Sequence, residues 1–393
     1  MITTQARNAT LADLAELLQQ QQAAKLDIVA PATTLRSRGG LLHVKDATVT
    51  MDDYGVTTEP GIFRPTAVFD EGVAEKLGIP LAYVRRMRTE RPDLYDANVN
   101  GWIHGHTVKR LSEPFDDVVA EPDARSFLVR TFRGDDGGEG IARALLSDSY
   151  GGVADNFDAL TAALDGIRKS GVEVSIDSCN LTERRMYVTI SAPSVAALAP
   201  DLLRGYRSPY SGLSGDELPK VFAGFVVSNS ETGNGAFSIT PRLVVQVCSN
   251  GMQMTKDALR AIHLGSKLDT GVIRWSADTQ QKNLELITSK ARDAVATFLD
   301  VDYVRRCIEQ MSEKASKPLA DPEATIKIVA KRLTFTEAET KGVLDHFIRG
   351  GQVTAGGVLQ AVTSYCQQIE NADDAFDMEA KALTAMEYAF AAA

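Results

Sequence analysis

The 393-residue chain holds only four cysteines, two tryptophans and five histidines. Cys179, Cys248, Cys307 and Cys366 nowhere form a Cys-x-x-Cys spacing. That excludes a zinc ribbon or thioredoxin-type redox motif and predicts reduced, buried thiols in a cytoplasmic protein. No apolar run reaches the roughly 18–20 residues that span a bilayer, so no membrane is expected as a partner. The first residues, MITTQARNATLADLAELL, carry acids and no apolar h-region, which argues against a secretory signal. There is no Gly-x4-Gly-Lys-Ser/Thr loop and no His-Glu-x-x-His pair, and Gly212-Leu213-Ser214-Gly215-Asp216 fails a Gly-x-Ser-x-Gly elbow at its last position. NTP hydrolysis, zinc proteolysis and α/β-hydrolase chemistry are therefore not legible. Positive charge is also short: 42 Lys and Arg face 52 Asp and Glu, for a net charge of −10. Such a protein is not drawn to nucleic acid by its overall field. It would need a local groove lined by arginine.

The apolar and charged fractions, 44% and 24%, are those of a globular chain. Leu11, Leu14, Leu17 and Leu18 predict a helix over 8–20, with the glutamine tract 19–22 leading into a linker. Two short helices are expected at 70–77 and 80–89, broken at Gly78 and restarted at Pro80. Strand 126–133 precedes a Gly-Asp turn. A helix follows over 155–169, with Asp155 as its cap and Phe157, Leu160, Leu164 and Ile167 on its buried stripe. Segments 172–178 and 185–192 alternate as a hairpin. Segment 204–219 reads as a loop, and 220–228 and 236–247 read as two further strands. Pro241 cannot donate to a ladder, which predicts an edge, a bulge or a strand end there. From about 277 the period becomes helical, with a Thr336–Glu339 capping box and a stop at Gly350–Gly351. The expected fold is α+β, a central mostly antiparallel sheet with packed helices followed by an all-helical C-terminal region. Its expected parts are 1–34, a small region 35–122 with a helix-turn-helix-like pair, a core 123–275, and helices 276–393.

Candidate chemistry is sparse. Asp135 and Asp136 in a Gly-rich turn could hold Mg²⁺ as paired carboxylates, but a solvated turn explains them. His104 and His106 could share a metal, but no third ligand cluster accompanies them. Cys248 with His263 as base would make a nucleophile. Cys248, however, ends a valine-rich run, and a thiolate needs an electropositive, partly exposed setting. No catalytic residue, metal or cofactor is assigned, although an enzyme with dispersed residues stays open.

Arginine outnumbers lysine over 64–243, in clusters at Arg85, Arg86 and Arg88; Arg130 and Arg133; Arg184 and Arg185; and Arg204 and Arg207 beside Tyr206 and Tyr210. Planar guanidinium groups suit phosphate, and tyrosines in such a loop can stack bases. These side chains, together with Arg242, are the candidate nucleic-acid contacts. Solvated faces and carboxylate pairs are the alternative for each. Buried without a partner, Arg242 would be costly, so it must meet a carboxylate or a polyanion.

Segment 228–252, SNSETGNGAFSITPRLVVQVCSNGM, pairs an Asn-Ser-x-x-Gly turn with a Pro-Arg-…-Cys-x-Asn run. The residues are Asn229, Ser230, Gly233, Pro241, Arg242, Cys248 and Asn250. This segment resembles the signature of an uncharacterised family of phage- and plasmid-borne proteins, and EKLGIPLAYVRRMRTERPDLYDANVNGWI and the segment from Gly356 resemble its two ends. The resemblance implies a mobile-element context and no particular activity. Taken with the arginines, it predicts a non-catalytic, homo-oligomeric factor that binds and anneals single-stranded DNA in recombination or replication. Two alternatives are a duplex-DNA binder using 70–91 and a factor that binds a host defence or replication protein through the acidic helix 370–379.

Overall fold

The computed structural model describes residues 3–45, 48–49, 61–108, 118–134, 138–148, 155–248, 251–261 and 277–393. The chain opens with β1 (Ala6–Ala9) and α1 (Leu11–Ala24), then enters β2 (Lys25–Pro31), β3 (Leu35–Arg38), β4 (Leu41–Val44), β5 (Thr48–Val49) and β6 (Gly61–Pro65). Three helices follow, α2 (Ala67–Leu77), α3 (Leu81–Glu90) and α4 (Pro92–His104), then the small pair β7 (His106–Val108) and β8 (Val118–Ala120). Strands β9 (Ser126–Phe132) and β10 (Gly140–Ser147) return to complete a seven-stranded sheet in the order β3-β4-β6-β10-β9-β2-β5. It is antiparallel except where β10 runs parallel to β6. The expected boundary at 122 therefore does not separate two cores, because β9 and β10 belong with β2 and β6.

After α5 (Asn156–Ser170) come β11 (Ser175–Leu181), β12 (Met186–Leu198), the short α6 (Pro200–Leu203), β13 (Lys220–Asn229), β14 (Phe237–Val245), β15 (Gly251–Gln253) and β16 (Leu259–Ala261). These strands form the central sheet, β1-β11-β12-β13-β14-β15, with β16 on the other end of β14. Every ladder in it is antiparallel. Seven helices end the chain: α7 (Ala277–Phe298), α8 (Val301–Ala315), α9 (Pro322–Leu333), α10 (Glu337–Gly350), α11 (Ala355–Cys366), α12 (Ala372–Ala380) and α13 (Ala382–Ala392). The fold is thus α+β with a helical C-terminal region. No helix among the described residues is long and apolar enough to cross a membrane.

Side-chain alternation decides what each sheet buries. In the N-terminal sheet Leu26, Ile28, Phe63, Phe127 and Val129 face α2 and α4 and pack on Val73, Tyr95 and Val99. Gly72 lets α2 lie on β10, since a methyl group there would meet the Leu145 carbonyl oxygen at 2.5 Å. In the central sheet Val188, Ile190, Phe225 and Ile239 face α5 and α7, and the same core runs on through Val304, Met311, Val358 and Ala385 of the terminal helices.

Several boundaries differ from expectation for physical reasons. The glutamine tract stays helical because Gln21 is buried and donates to the Thr3 carbonyl at 2.8 Å. A third helix, α4, starts on Pro92 at its first turn and takes in His104, while His106 lies in β7. Pro241 sits within β14 opposite Phe225, but β15 pairs only from Arg242 onward and β16 only up to Ile239. Its missing donor thus falls in the gap between two partner strands. The Thr336–Glu339 capping box forms. Asp135, Asp136, Asn250 and His263 lie outside the described residues.

Candidate nucleic-acid interface

The arginines that sequence clustering brings together are dispersed by the fold, and most meet carboxylates. Arg88 makes a bidentate pair with the fully buried Asp70, at 2.6–3.0 Å. Arg85 pairs with Glu71 at 2.7 Å and Arg184 reaches the same carboxylate from the central sheet. Arg86 and Arg204 are exposed but held by Glu90 on the same helix and by Asp201 three residues earlier, at 2.8 and 2.6 Å. Arg185 contacts Asp377 and donates to the Asn234 carbonyl. Arg207 donates to the Gly212 carbonyl and Arg133 to that of Lys25. Tyr206 is buried against Gly350, which removes it as a stacking surface. Tyr210 is half exposed, with its hydroxyl donating to the Ser364 carbonyl at 2.8 Å. Arg242 meets a carboxylate: its guanidinium donates to Glu379 of α12 at 2.8 and 3.1 Å.

Arg130 belongs to a buried charge network that joins the two sheets. It is 1% exposed and donates to Asp27 at 3.0 Å, Asp155 at 2.6 Å and the Glu231 carbonyl at 3.0 Å. Lys25 also reaches Asp155 at 2.6 Å, and Arg143 reaches Glu231 at 2.6 Å. Three cations thus face three anions. Burial alone would raise the Asp155 carboxyl, but Arg130 and Lys25 reverse this and hold it below the ordinary carboxylate range. The helix-capping role expected of Asp155 is lost to these cations, and its side chain makes no cap bond. Glu231 takes part of that role, accepting from the Asn156 amide at 2.5 Å.

Asn229, Ser230 and Gly233 are the frame of this network. Asn229 donates to Asn156 at 2.9 Å, and Ser230 donates to the Arg184 carbonyl at 2.7 Å. Gly233 adopts φ +83°, which only glycine takes without strain. Cys248 is buried, as are the other three thiols. Burial pushes Cys179 up to about 11 and Cys366 well above the usual thiol range. Neither setting activates a nucleophile.

A different surface gathers cations. On β3, Leu35 and Ser37 point inward while Arg36 and Arg38 are exposed. Arg36 stands opposite His43 on β4, and His43 opposite Ile62 on β6. Arg64, two residues on from Ile62, shares that face. No helix among the described residues covers it: Ile62 is 44% exposed. Arg36 and Arg38 have no ion-pair partner among the described residues, and Arg64 pairs with Glu139 at 2.7 Å while remaining largely exposed. A groove of about 1240 Å³ opens at one end of the sheet, where Arg36 and His43 of this face meet Lys45, Arg133 and Glu139 and, from the helix-covered side, Phe63 and His104. Among its described lining residues Glu139 is the one acid. Arg36, Arg38, His43 and Arg64 were not among the candidates from sequence. The available signal was the 18-residue stretch 28–45, which contains no Asp or Glu.

The fold and this groove define an α+β protein with one cationic sheet face on an acidic body. No protein-family model, curated protein or solved structure matches the chain.

Proposed function

We propose that the protein is a non-catalytic factor that binds single-stranded nucleic acid along the outer face of β3, β4 and β6. The observation that carries this reading is the row Arg36, Arg38 and Arg64 with His43, open to solvent and facing one carboxylate, on a chain whose other arginine clusters are mostly occupied. Guanidinium groups on alternate residues of a strand stand about 6.6–6.8 Å apart, so they can hold successive phosphates. Contacts to phosphate alone leave base edges free to pair, as strand annealing requires. The resemblance expected from segment 228–252 points to recombination or replication of a mobile element, and annealing would involve several copies of the chain.

Fluorescence anisotropy with a labelled, unstructured oligonucleotide tests the reading. Each phosphate neutralised on a single strand contributes about −0.7 to the slope of log K against log salt. Arg36, Arg38 and Arg64 together predict a slope near −2, or about a 20-fold loss of affinity between roughly 50 and 200 mM salt. Arg36→Ala with Arg38→Ala should weaken binding and flatten that slope by about 1.4. No binding at low salt, or an unchanged slope in the double variant, removes the proposal.

A further inference from the structure

Strand β3 lies at the edge of its sheet, and two side chains of α4 close that edge. Ser37 stands between Arg36 and Arg38. Asn100 accepts from the Ser37 amide and donates to the Ser37 carbonyl, both at 2.8 Å. It thus takes the place of a neighbouring strand. Asp96, one turn earlier on the same side of α4, accepts from the Ser37 hydroxyl at 2.5 Å, the Gly39 amide at 2.5 Å and the Gly40 amide at 3.0 Å. We propose that Asp96 and Asn100 are positioning residues for the cationic face: they order β3 and its turn before a ligand arrives, so that Arg36 and Arg38 meet phosphates already aligned. Their role rests on the reading of that face as a nucleic-acid surface.

The chain needs such a clamp here. Two glycines follow Arg38, at φ +62° and +75°, the positive-φ pair of a two-residue hairpin turn. Gly-Gly also has the most backbone freedom to lose. Strand β3 has four residues and pairs with β4 alone. A short edge strand ahead of such a turn frays unless side chains hold it. The turn is seated as well: Gly40 is buried, and a methyl group on it would stand 3.5 Å from Arg88 Cγ and 3.8 Å from Pro92 Cβ, where α3 gives way to α4. Arg88 is itself fixed by the buried Asp70. Ordering arginines at the moment of binding subtracts from affinity, and the clamp removes part of that loss. A carboxylate bonded between two phosphate-binding arginines opposes a polyanion by its charge, so Asp96 serves that face through what it holds in place.

Fluorescence anisotropy on the full chain, with a labelled, unstructured oligonucleotide across a salt series, tests the assignment. Asn100→Leu removes both bonds to Ser37 and no charge. It should weaken binding about threefold or more at every salt concentration and leave the slope at about −2, because the same arginines reach the same phosphates. Arg36→Ala with Arg38→Ala flattens the slope instead. Asp96→Asn distinguishes by sign: loss of a carboxylate would tighten binding if charge alone mattered, whereas loss of a positioning residue weakens it. Undiminished binding in Asn100→Leu, or tighter binding in Asp96→Asn, overturns the assignment and leaves the cationic face standing. No binding by the wild type removes both. Hydrogen exchange on the wild type decides the matter if a variant fails to fold. The Ser37, Gly39 and Gly40 amides should exchange at least about tenfold more slowly than in an unstructured chain. Exchange at the unstructured rate would mean that β3 is not clamped, whatever the oligonucleotide does.

Discussion

Replacing Arg130 by Met removes the central cation of the buried network while nearly conserving volume. The side chain now donates to Asp27, Asp155 and the Glu231 carbonyl. After the change three carboxylates face two cations among the described residues, Lys25 and Arg143, in a largely buried site. Breaking one side of a buried ion pair costs about 3–5 kcal/mol. Two unit charges 4 Å apart at an effective dielectric of 20 interact by about 4 kcal/mol, which gives the same scale. At about 2.1 cal/mol/K per residue, unfolding 393 residues as one unit has an entropy near 0.8 kcal/mol/K. The expected fall in melting temperature is therefore about 4–6 °C, and more if a smaller part unfolds alone. Scanning calorimetry at neutral pH measures it.

The pH dependence checks the cause. Asp155 is held below the ordinary carboxylate range in the native protein, so its contribution is present above its unfolded value and lost as pH falls through the lowered native one. Lys25 is raised: burial opposes its charge, but Asp155 and Asp27 overcome this. Its contribution is present below the ordinary lysine value and lost only as pH rises through the raised one. Wild-type stability should thus be flat across neutral pH. In Arg130→Met, the carboxylates lose the guanidinium that offset their burial, and protonation relieves them. The gap between variant and wild type should narrow on acidification from about 7 towards 4. A variant within 1 °C of wild type, to order of magnitude the noise of the measurement, or a gap that widens in acid, would refute the account.

Two further outcomes follow from packing. All four cysteines are buried, with Cys179 pushed up to about 11, so native protein at pH 8 should react with Ellman's reagent far more slowly than protein in denaturant. Prompt labelling of Cys179 would contradict its burial. Gly72→Ala forces a methyl group onto the Leu145 backbone and should lower stability by about 1–3 kcal/mol, seen as a lower midpoint in a urea titration. An unchanged midpoint would mean that α2 does not rest on β10 as described.

Local signals in the sequence located most elements but few partners. The β11–β12 and β13–β14 hairpins, the Thr336 capping box and the stop after Gly350 were readable because each depends on residues near one another in the chain. The expected helix at 155–169 forms as α5, yet the role of Asp155 was misread. A capping residue and a buried counter-ion look identical in sequence, and the cations that claim Asp155 lie 25 and 130 positions away. The same limit applies to the arginine clusters. Adjacent Arg184 and Arg185 separate to Glu71 and Asp377, and Arg130 and Arg133 point to different neighbours. Clustering along the chain measured local composition, whereas function depends on which guanidinium groups the fold leaves without a carboxylate.

That distinction also explains how an acidic protein could hold a polyanion. Salt bridges on the exposed surface contribute little stability, so pairs such as Arg86–Glu90 and Arg204–Asp201 matter more for the field they cancel than for the energy they add. Each makes a locally neutral surface. Helix α12 acts in the same way over the central sheet, where Asp377 and Glu379 meet Arg185 and Arg242. Against neutralised faces, a short acid-free segment needs few cations to become the most positive part of the molecule. Screening limits such attraction to about 8–10 Å at physiological salt, so the distant acids that set the net charge of −10 barely oppose it. If this is right, making the body still more acidic far from β3 should leave oligonucleotide affinity nearly unchanged at physiological salt. Reversing the single charge at Arg38, on the edge strand itself, should then weaken affinity more than several such distant substitutions combined.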